Sequence, residues 1–478
     1  MKILIVGAEG VPFSSSGGLG DVMGSLPAAV KKAMGENDDI RVVLPLHKST
    51  KDKFMDKLAF VKAVNVKLSW RNQYCGIYQL SHNGVIYYFI DNEYYFKRKE
   101  LYGNFDDAEK YAFFCKAIME LMKAVDYYPD LLHANDWHTA LAVVYLKCVY
   151  SKFPEYRNIK ALYTIHNIDY QGIYDFSLVQ DIFDLGDVDR SILEYDGNIN
   201  LTKAAIVCAD KVSTVSERYS REILYEFFSK SLYHILQRYS YKVCGIVNGI
   251  DTDYYNPGRD KTIKAKYDTR RLKGKTECKI AFQKEMGLEP DEDIPIIAVI
   301  SRLASHKGLD LIKCVFDEIA DMDVQFVLLG KGEAEYEYFF RNEMYKNRPN
   351  VKIILDYDKE LSKKIYSAAD IFLMPSKSEP CGLAQMIASR YGAVPLVREV
   401  GGLADTIKPY NPMDPETNGF SFKNYNAHDM LNTIRFALSV YTRPSEWKKL
   451  VKTCMKKDFS WNKSAKKYIE LYNEIIFE

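Results

Sequence analysis

Residues 2–8, KILIVGA, are a short apolar run that passes directly into EGVPFSSSGGLGDV at 9–22. The run reads as a buried strand, the adjacent glycines Gly17 and Gly18 as a turn, and LGDVMGSLPAAVKKAM from Leu19 onward as the helix behind it. This unit is common in α/β proteins for purely structural reasons. It is also an anion or sugar site in outline: glycines let backbone N–H groups approach a ligand, and a helix N-terminus favours negative charge. The spacing is neither G-x-G-x-x-G nor G-x-x-x-x-G-K-[ST], so neither familiar nucleotide fingerprint is present.

The same rhythm runs outward from this stretch. Branched runs recur at 40–44, 85–90, 131–134, 161–165 and 211–216, several of them separated by helical patterns such as AEKYAFFCKAIMELMKAV at 108–125. It restarts at IPIIAVI, 294–300, and continues through 324–330, 351–355, 370–376 and 393–397. Between 294–300 and 324–330, Leu309, Ile312, Val315, Phe316 and Ile319 share one helix face. The pattern predicts two α/β units, each a parallel sheet covered by helices, with a cleft between them. The boundary is expected near 245–260, where NGIDTDYYNPGRD collects turn formers, and 258–278 reads as a solvated connector. At the C-terminal end, Ala465, Tyr468, Ile469, Tyr472, Ile475 and Ile476 form an apolar stripe at helical spacing, so this helix must dock.

Length and composition agree with two domains: 478 residues, 47% of them hydrophobic, exceed one ordinary core. Lys+Arg 65 against Asp+Glu 64 leaves a formal charge of +1, which provides no global field for nucleic acid or an anionic membrane. No stretch approaches the roughly 20 apolar residues of a membrane span. The nine cysteines are scattered, with no C-x-x-C pair, which fits a reducing, cytoplasmic compartment better than a disulfide scaffold or a zinc site. The opening segment meets Glu9 too early for a signal peptide.

Polar residues gather where parallel strands end, which is where such sheets bind ligands. LLHANDWHT carries His133, Asn135, Asp136, Trp137, His138 and Thr139, and ALYTIHNIDYQG carries His166 and Asn167. One or two of these would serve as caps or strand-edge partners in any fold; all of them is more than caps require. Asp136, His138 and His166 contain no H-E-x-x-H or similar pair, so no metal is expected. In the second half, ISRLASHKGLD puts Arg302 and Lys307 after a strand, a pair suited to a diphosphate because it meets charge growing on a departing group. PSKSEPCGLAQMIASRYG places Glu379 before a helix whose first amides, at Gly382, Leu383 and Ala384, face an anion. REVGGLADT repeats the design with Gly401, Gly402 and Asp405.

Together SSSGGLGDV, HANDWHTAL, TIHNIDYQG, VSTVSERYSREI, GIVNGID, ISRLASHKGLDLI, PSKSEPCGLAQ and REVGGLADT resemble, nearly end to end, the bacterial glycogen synthases and plant starch synthases. These are retaining glycosyltransferases of the GT-B architecture. The resemblance implies two Rossmann-like domains facing a deep cleft, with a C-terminal helix crossing back to the N-terminal domain. On this reading residues 1–247, with a closing helix at 460–478, form the acceptor side, and 248–459 the nucleotide-sugar donor side. It implies transfer of glucose, with retention, from ADP-glucose to the non-reducing 4-OH of an α-1,4-glucan, without a cofactor or metal. Carried over by motif, Arg302 and Lys307 neutralise the diphosphate, helped by backbone amides of Gly18, Gly382 and Leu383 and by the Gly402–Leu403 turn. Glu379 binds hydroxyls of the transferred glucose, and Asp136 and His166 line the glucosyl and acceptor side, His166 near the anomeric centre. Asn248 helps define the sugar site, Tyr357 packs on the nucleobase, and Ser15 and Asp21 belong to the donor turn.

Two positions depart from the family pattern. Ser15 stands where the family has lysine, and Ala384 where it has threonine. Serine donates one hydrogen bond but no charge. Tyr357 does not distinguish adenine from uracil, so UDP-glucose or a different acceptor such as sucrose or a smaller oligosaccharide stays open, as does a catalytically weak glucan-binding paralogue. A double displacement would need a carboxylate opposite the leaving group, for which Asp136 is the candidate. Oligomeric state is not legible.

Overall fold

The computed structural model describes residues 1–477, Tyr345 by its backbone alone. It divides into two compact units, one of Met1–Gly249 with the segment from Trp461, the other of Ile250–Ser460. Residue 478 of the expected closing helix lies outside the described residues.

The first unit is built on a nine-stranded sheet. Its strands are β1 (Lys2–Val6), β2 (Asp39–Pro45), β3 (Ala59–Leu68), β4 (Arg71–His82), β5 (Val85–Asp91), β6 (Leu131–Asn135), β7 (Lys160–Ile165), β11 (Lys211–Thr214) and β12 (Val243–Gly245), while β8 (Ile173–Asp175), β9 (Glu194–Tyr195) and β10 (Asn198–Asn200) form a small separate sheet. The large sheet is ordered β12-β11-β7-β6-β1-β2-β5-β4-β3. It is parallel from β12 to β5 and antiparallel through β4 and β3. Strand order therefore reverses at β1 and β6, and the crevice beyond their carboxyl ends is where a doubly wound sheet binds ligands.

β1, β6 and β7 are buried along almost their whole length because helices cover both faces of a parallel sheet. The helix Gly18–Ala33 packs on one face through Val22, Met23, Leu26 and Val30. Beside it lies the C-terminal helix Trp461–Phe477, which buries Trp461, Ala465, Tyr468, Leu471, Tyr472 and Ile475 in the same core. Ile469 and Ile476, the other two members of the expected stripe, are only partly buried. The opposite face is covered mainly by the helix Asp107–Ala124 and its neighbours.

The second unit has six parallel strands, β13 (Ile296–Ile300), β14 (Gln325–Leu329), β15 (Val351–Ile354), β16 (Ile371–Met374), β17 (Val394–Arg398) and β18 (Phe420–Phe422), ordered β15-β14-β13-β16-β17-β18. Here order reverses between β13 and β16. The helix face at 309–319 is split into Leu309–Cys314 and Phe316–Ala320, with all five expected apolar residues buried. The stretch 258–278 is less solvated than its composition suggests: Tyr267 and Cys278 are buried, and the helix Lys273–Met286 begins within it. The β3–β4 hairpin was not expected from the sequence. No helix among the described residues is long and apolar enough to cross a membrane.

Candidate active site

In the first unit the chain leaves β1 at the switch point and meets Glu9, which is fully buried. Its carboxylate accepts the Ser16 N–H at 2.5 Å, the Ser16 hydroxyl at 2.7 Å and the Gly20 N–H at 3.0 Å. Burial pushes the Glu9 carboxyl up, against the pull of these donors. The turn is thereby folded around a carboxylate that the sequence presents only as the end of an apolar run. Its signal was available: an acid directly after a buried strand needs donors, and the following turn is rich in them.

The glycines of this turn have different reasons. A Cβ on Gly20 would come within 2.4 Å of Ser15 Oγ, so Gly20 is required by packing, whereas Gly17 and Gly18 face open space. Gly18 begins the helix, and its N–H has no acceptor among the described residues. Ser15 is exposed, its hydroxyl donating at 3.3 Å to the Gly17 carbonyl, and Asp21 lies in the first helical turn.

β6 ends beside β1 in Asn135 and Asp136. Asp136 holds φ 61° and ψ 174°, a region almost reserved for glycine, at a cost of about 1–3 kcal/mol. Its Oδ1 accepts the His166 N–H at 2.7 Å and the Asn167 N–H at 3.4 Å from the end of β7, while Oδ2 has no hydrogen-bond partner among the described residues. Burial raises the Asp136 carboxyl to about 7 in spite of the two amides, and the Glu9 charge adds to the shift. His166 Nε2 lies 2.9 Å from Asn135 Oδ1, and burial drops the ring to about 3, so the imidazole is neutral at physiological pH. β6 and β7, adjacent in the sheet, thus bring Asp136 and His166 together.

Three of the neighbouring polar residues are structural. His133 bonds Tyr472 Oη at 2.9 Å and Thr164 Oγ1 at 2.7 Å, fastening the C-terminal helix to the sheet. Asn135 Nδ2 donates to the Val6 carbonyl, and Thr139 bridges the Asn135 N–H and carbonyl. His138 is different: it is buried, stacked on Trp137 at 4.1 Å, and neither ring nitrogen has a hydrogen-bond partner. No cluster of three potential metal ligands forms among the described residues. Asn248, after β12, is buried with its Oδ1 unpartnered.

In the second unit the switch point joins the segments after β13 and β16. Lys307, at the end of the turn Ser305–Lys307, donates from Nζ to Glu379 Oε2 at 2.7 Å, and Ser376 Oγ donates to the same oxygen at 3.0 Å. Glu379 is buried; Arg302 is exposed at the end of β13. Gly382 takes φ 72°, and the N–H groups of Gly382, Leu383 and Ala384 have no acceptor among the described residues. Gln385 Nε2 pins this turn from behind through the Cys381 and Gly382 carbonyls and Thr406 Oγ1. Tyr357, after β15, is 75% exposed, leaving its ring open for stacking.

The Gly402–Leu403 turn corrects an expectation. The Gly402 N–H donates to the Glu379 carbonyl at 3.1 Å and the Leu403 N–H to the Val400 carbonyl at 3.1 Å, so neither amide is available to a phosphate. A Cβ on Gly402 would lie 2.2 Å from the Cys381 carbonyl oxygen, and one on Gly401 1.9 Å from that of Glu379. These glycines let one backbone segment support the other.

Two α/β units, each on a largely parallel sheet with polar groups at its switch point, define the class: a glycosyltransferase of GT-B type. Residues 2–238 match the family model of the starch synthase catalytic domain, and residues 283–453 that of glycosyl transferases group 1. The chain is 46% identical over 478 residues to a glycogen synthase of Bacillus cereus, covering 100% of both chains, and 44% identical to one of Anoxybacillus flavithermus, covering 100% of this chain and 98% of the relative. Among solved structures it is similar to the catalytic domain of Starch Synthase IV from Arabidopsis thaliana bound to ADP and acarbose, with TM-score 0.89 at 30% identity, covering 100% of this chain and 99% of the other. Sucrose-phosphate synthase from Thermosynechococcus elongatus, at 18% identity and TM-score 0.61 over 100% of this chain and 99% of that one, shares the fold. The chain belongs to the glycogen synthase and starch synthase family of glycosyltransferases.

Proposed function

We propose that this enzyme extends an α-1,4-glucan, moving glucose with retention from ADP-glucose to the non-reducing 4-OH. The observation that carries the reading is in the second unit, where three unspent amides, Gly382 to Ala384, follow the Lys307–Glu379 pair at the switch point. Arg302, Lys307 and these amides hold the diphosphate, Glu379 accepts from hydroxyls of the transferred glucose, and Tyr357 stacks on the base. In this assignment residues 248–459 are the donor side, and residues 1–247 with the C-terminal helix the acceptor side. The Arabidopsis relative, solved with ADP, favours adenine as the base.

Asp136 Oδ2 and neutral His166 act from the acceptor side as hydrogen-bonding groups, with Gly18 and Asp21 of the opening turn completing the donor contacts and Asn248 the sugar's surroundings. In a same-face displacement the acceptor oxygen attacks where the phosphate leaves, and the departing phosphate takes the acceptor's proton. Catalysis then rests on stabilising the growing diphosphate charge, which is the work of preorganised donors. Nine scattered cysteines with no C-x-x-C pair support a cytoplasmic setting.

The test follows labelled glucose from ADP-glucose and from UDP-glucose into glycogen, with wild type and Lys307→Ala. Incorporation from ADP-glucose that collapses in the variant supports the reading. Incorporation from UDP-glucose alone keeps the chemistry and changes the donor, and none from either with folded protein refutes an active synthase.

A further inference from the structure

We infer that Cys148 and Cys208 form a redox modification site, a dithiol that a low-molecular-weight disulfide converts to an intramolecular disulfide. Cys148 lies in the π-helical turn Tyr145–Val149, which continues the helix Trp137–Val144, and Cys208 is the last residue of the helix Leu201–Cys208. Their sulfurs are 3.6 Å apart although 60 positions separate them in sequence. Both residues are partly exposed, whereas Cys75, Cys115, Cys278, Cys381 and Cys454 are buried. No other cysteine pair is in hydrogen-bond contact among the described residues.

The surroundings order the chemistry. Lys242 Nζ donates to the carbonyls of Val207 at 3.1 Å and Ala209 at 2.7 Å, which places a cation beside Cys208. Lys147, next to Cys148, is paired with Asp210 at 2.7 Å. The two thiols share one hydrogen bond in which either sulfur can donate; with Cys208 as the donor the Cys148 pKa is lowered and that of Cys208 raised, so Cys148 supplies the thiolate. The Cys148 thiolate attacks one sulfur of the small disulfide, forming a mixed disulfide and releasing one small thiol. Cys208 then loses its proton, and its sulfur attacks Cys148 Sγ, expelling the second small thiol. Two protein thiols become one disulfide, and one small disulfide becomes two thiols.

The bond would close a loop that contains β7, His166 and the small sheet, and would tie the helix beginning after Asp136 to the helix Leu201–Cys208. Cross-linking constrains the unfolded chain, so the oxidised protein should melt higher. The experiment treats the purified full chain with oxidised glutathione, blocks remaining thiols and maps non-reduced peptides. The expected result is a peptide joining Cys148 to Cys208, with a rise in Tm of about several °C that dithiothreitol reverses. In Cys208→Ala a glutathione adduct should persist on Cys148, with no rise in Tm. The inference is overturned if both thiols stay open to alkylation while the exposed Cys314 is modified, or if glutathione remains on Cys148 in the wild type. Since the wild-type map decides alone, the variant's folding does not limit the test.

Discussion

Lys307 Nζ and Glu379 Oε2 are 2.7 Å apart, and the two residues come from the ends of β13 and β16, the neighbouring strands between which the order of the second sheet reverses. The pair holds a cation in place before any ligand arrives, and leaves the lysine two further donor positions.

Removing that cation separates chemistry from glucan binding. Lys307→Ala should lower kcat by roughly 10²–10³, equivalent to about 3–4 kcal/mol of transition-state stabilisation, with KM for glycogen little changed. Steady-state kinetics with both substrates varied will check it. A rise in the glycogen KM with kcat intact would assign Lys307 to the acceptor instead.

The glycines of the two turns should respond oppositely. A Cβ on Gly18 meets nothing within 4 Å, so Gly18→Ala should change stability by no more than about 0.5 kcal/mol and raise KM for the nucleotide sugar. Gly402→Ala presses on the Cys381 carbonyl oxygen at 2.2 Å and should destabilise the second unit by about 3 kcal/mol. Thermal melting of the two variants side by side distinguishes them; equal melting temperatures would contradict the packing account.

Asp136 gives a pH signature. Its carboxyl is raised from 3.8 to about 7, so between those values the folded protein binds a proton that the unfolded chain does not. Stability from this group is present in full below about pH 4 and is lost as pH rises toward 7, which leaves a penalty of about 4 kcal/mol at pH 8. Asp136→Asn keeps an Oδ1 for the two amides and should therefore stabilise the fold at pH 8 but not at pH 4. Denaturant melts of both proteins across this range supply the measurement, and a pH-independent difference would show that desolvation is not the cause.

Ser15 is exposed three residues before Gly18, with its hydroxyl on the Gly17 carbonyl, and carries no charge. Ser15→Lys should add a charge-assisted contact to the donor diphosphate and raise kcat/KM for ADP-glucose about tenfold, an effect that shrinks with added salt. Unchanged kcat/KM at low ionic strength would mean that this side chain does not reach the phosphates.

Much of the architecture was legible because parallel strands buried on both faces are rich in apolar and branched residues, and β1, β5, β6, β7, β13, β14, β16 and β17 announce themselves this way, while β2, β11 and β15 carry shorter branched runs. The β3–β4 hairpin escaped notice because an exposed edge such as β3 lacks that signal. Asp136, His166, Lys307 and Glu379 stood out as polar groups at strand ends, but their sequence neighbours looked no different from them. His133, Asn135 and Thr139 turned out to serve the fold, and Glu9, which organises the opening turn, was passed over.

The sequence by itself determined the two α/β rhythms and the strand ends where polar groups gather, which are written in local periodicity and spacing, and its motifs carried the resemblance to the family. Only the tertiary structure decided which of those groups are paired with one another and which stay open. It paired Lys307 with Glu379 across 72 residues and His133 with Tyr472 across 339, occupied the amides of Gly402 and Leu403, and left those of Gly18, Gly382 and Leu383 open. A backbone N–H has a single donor, which whichever acceptor lies within about 3 Å occupies, and that proximity is a property of the folded chain.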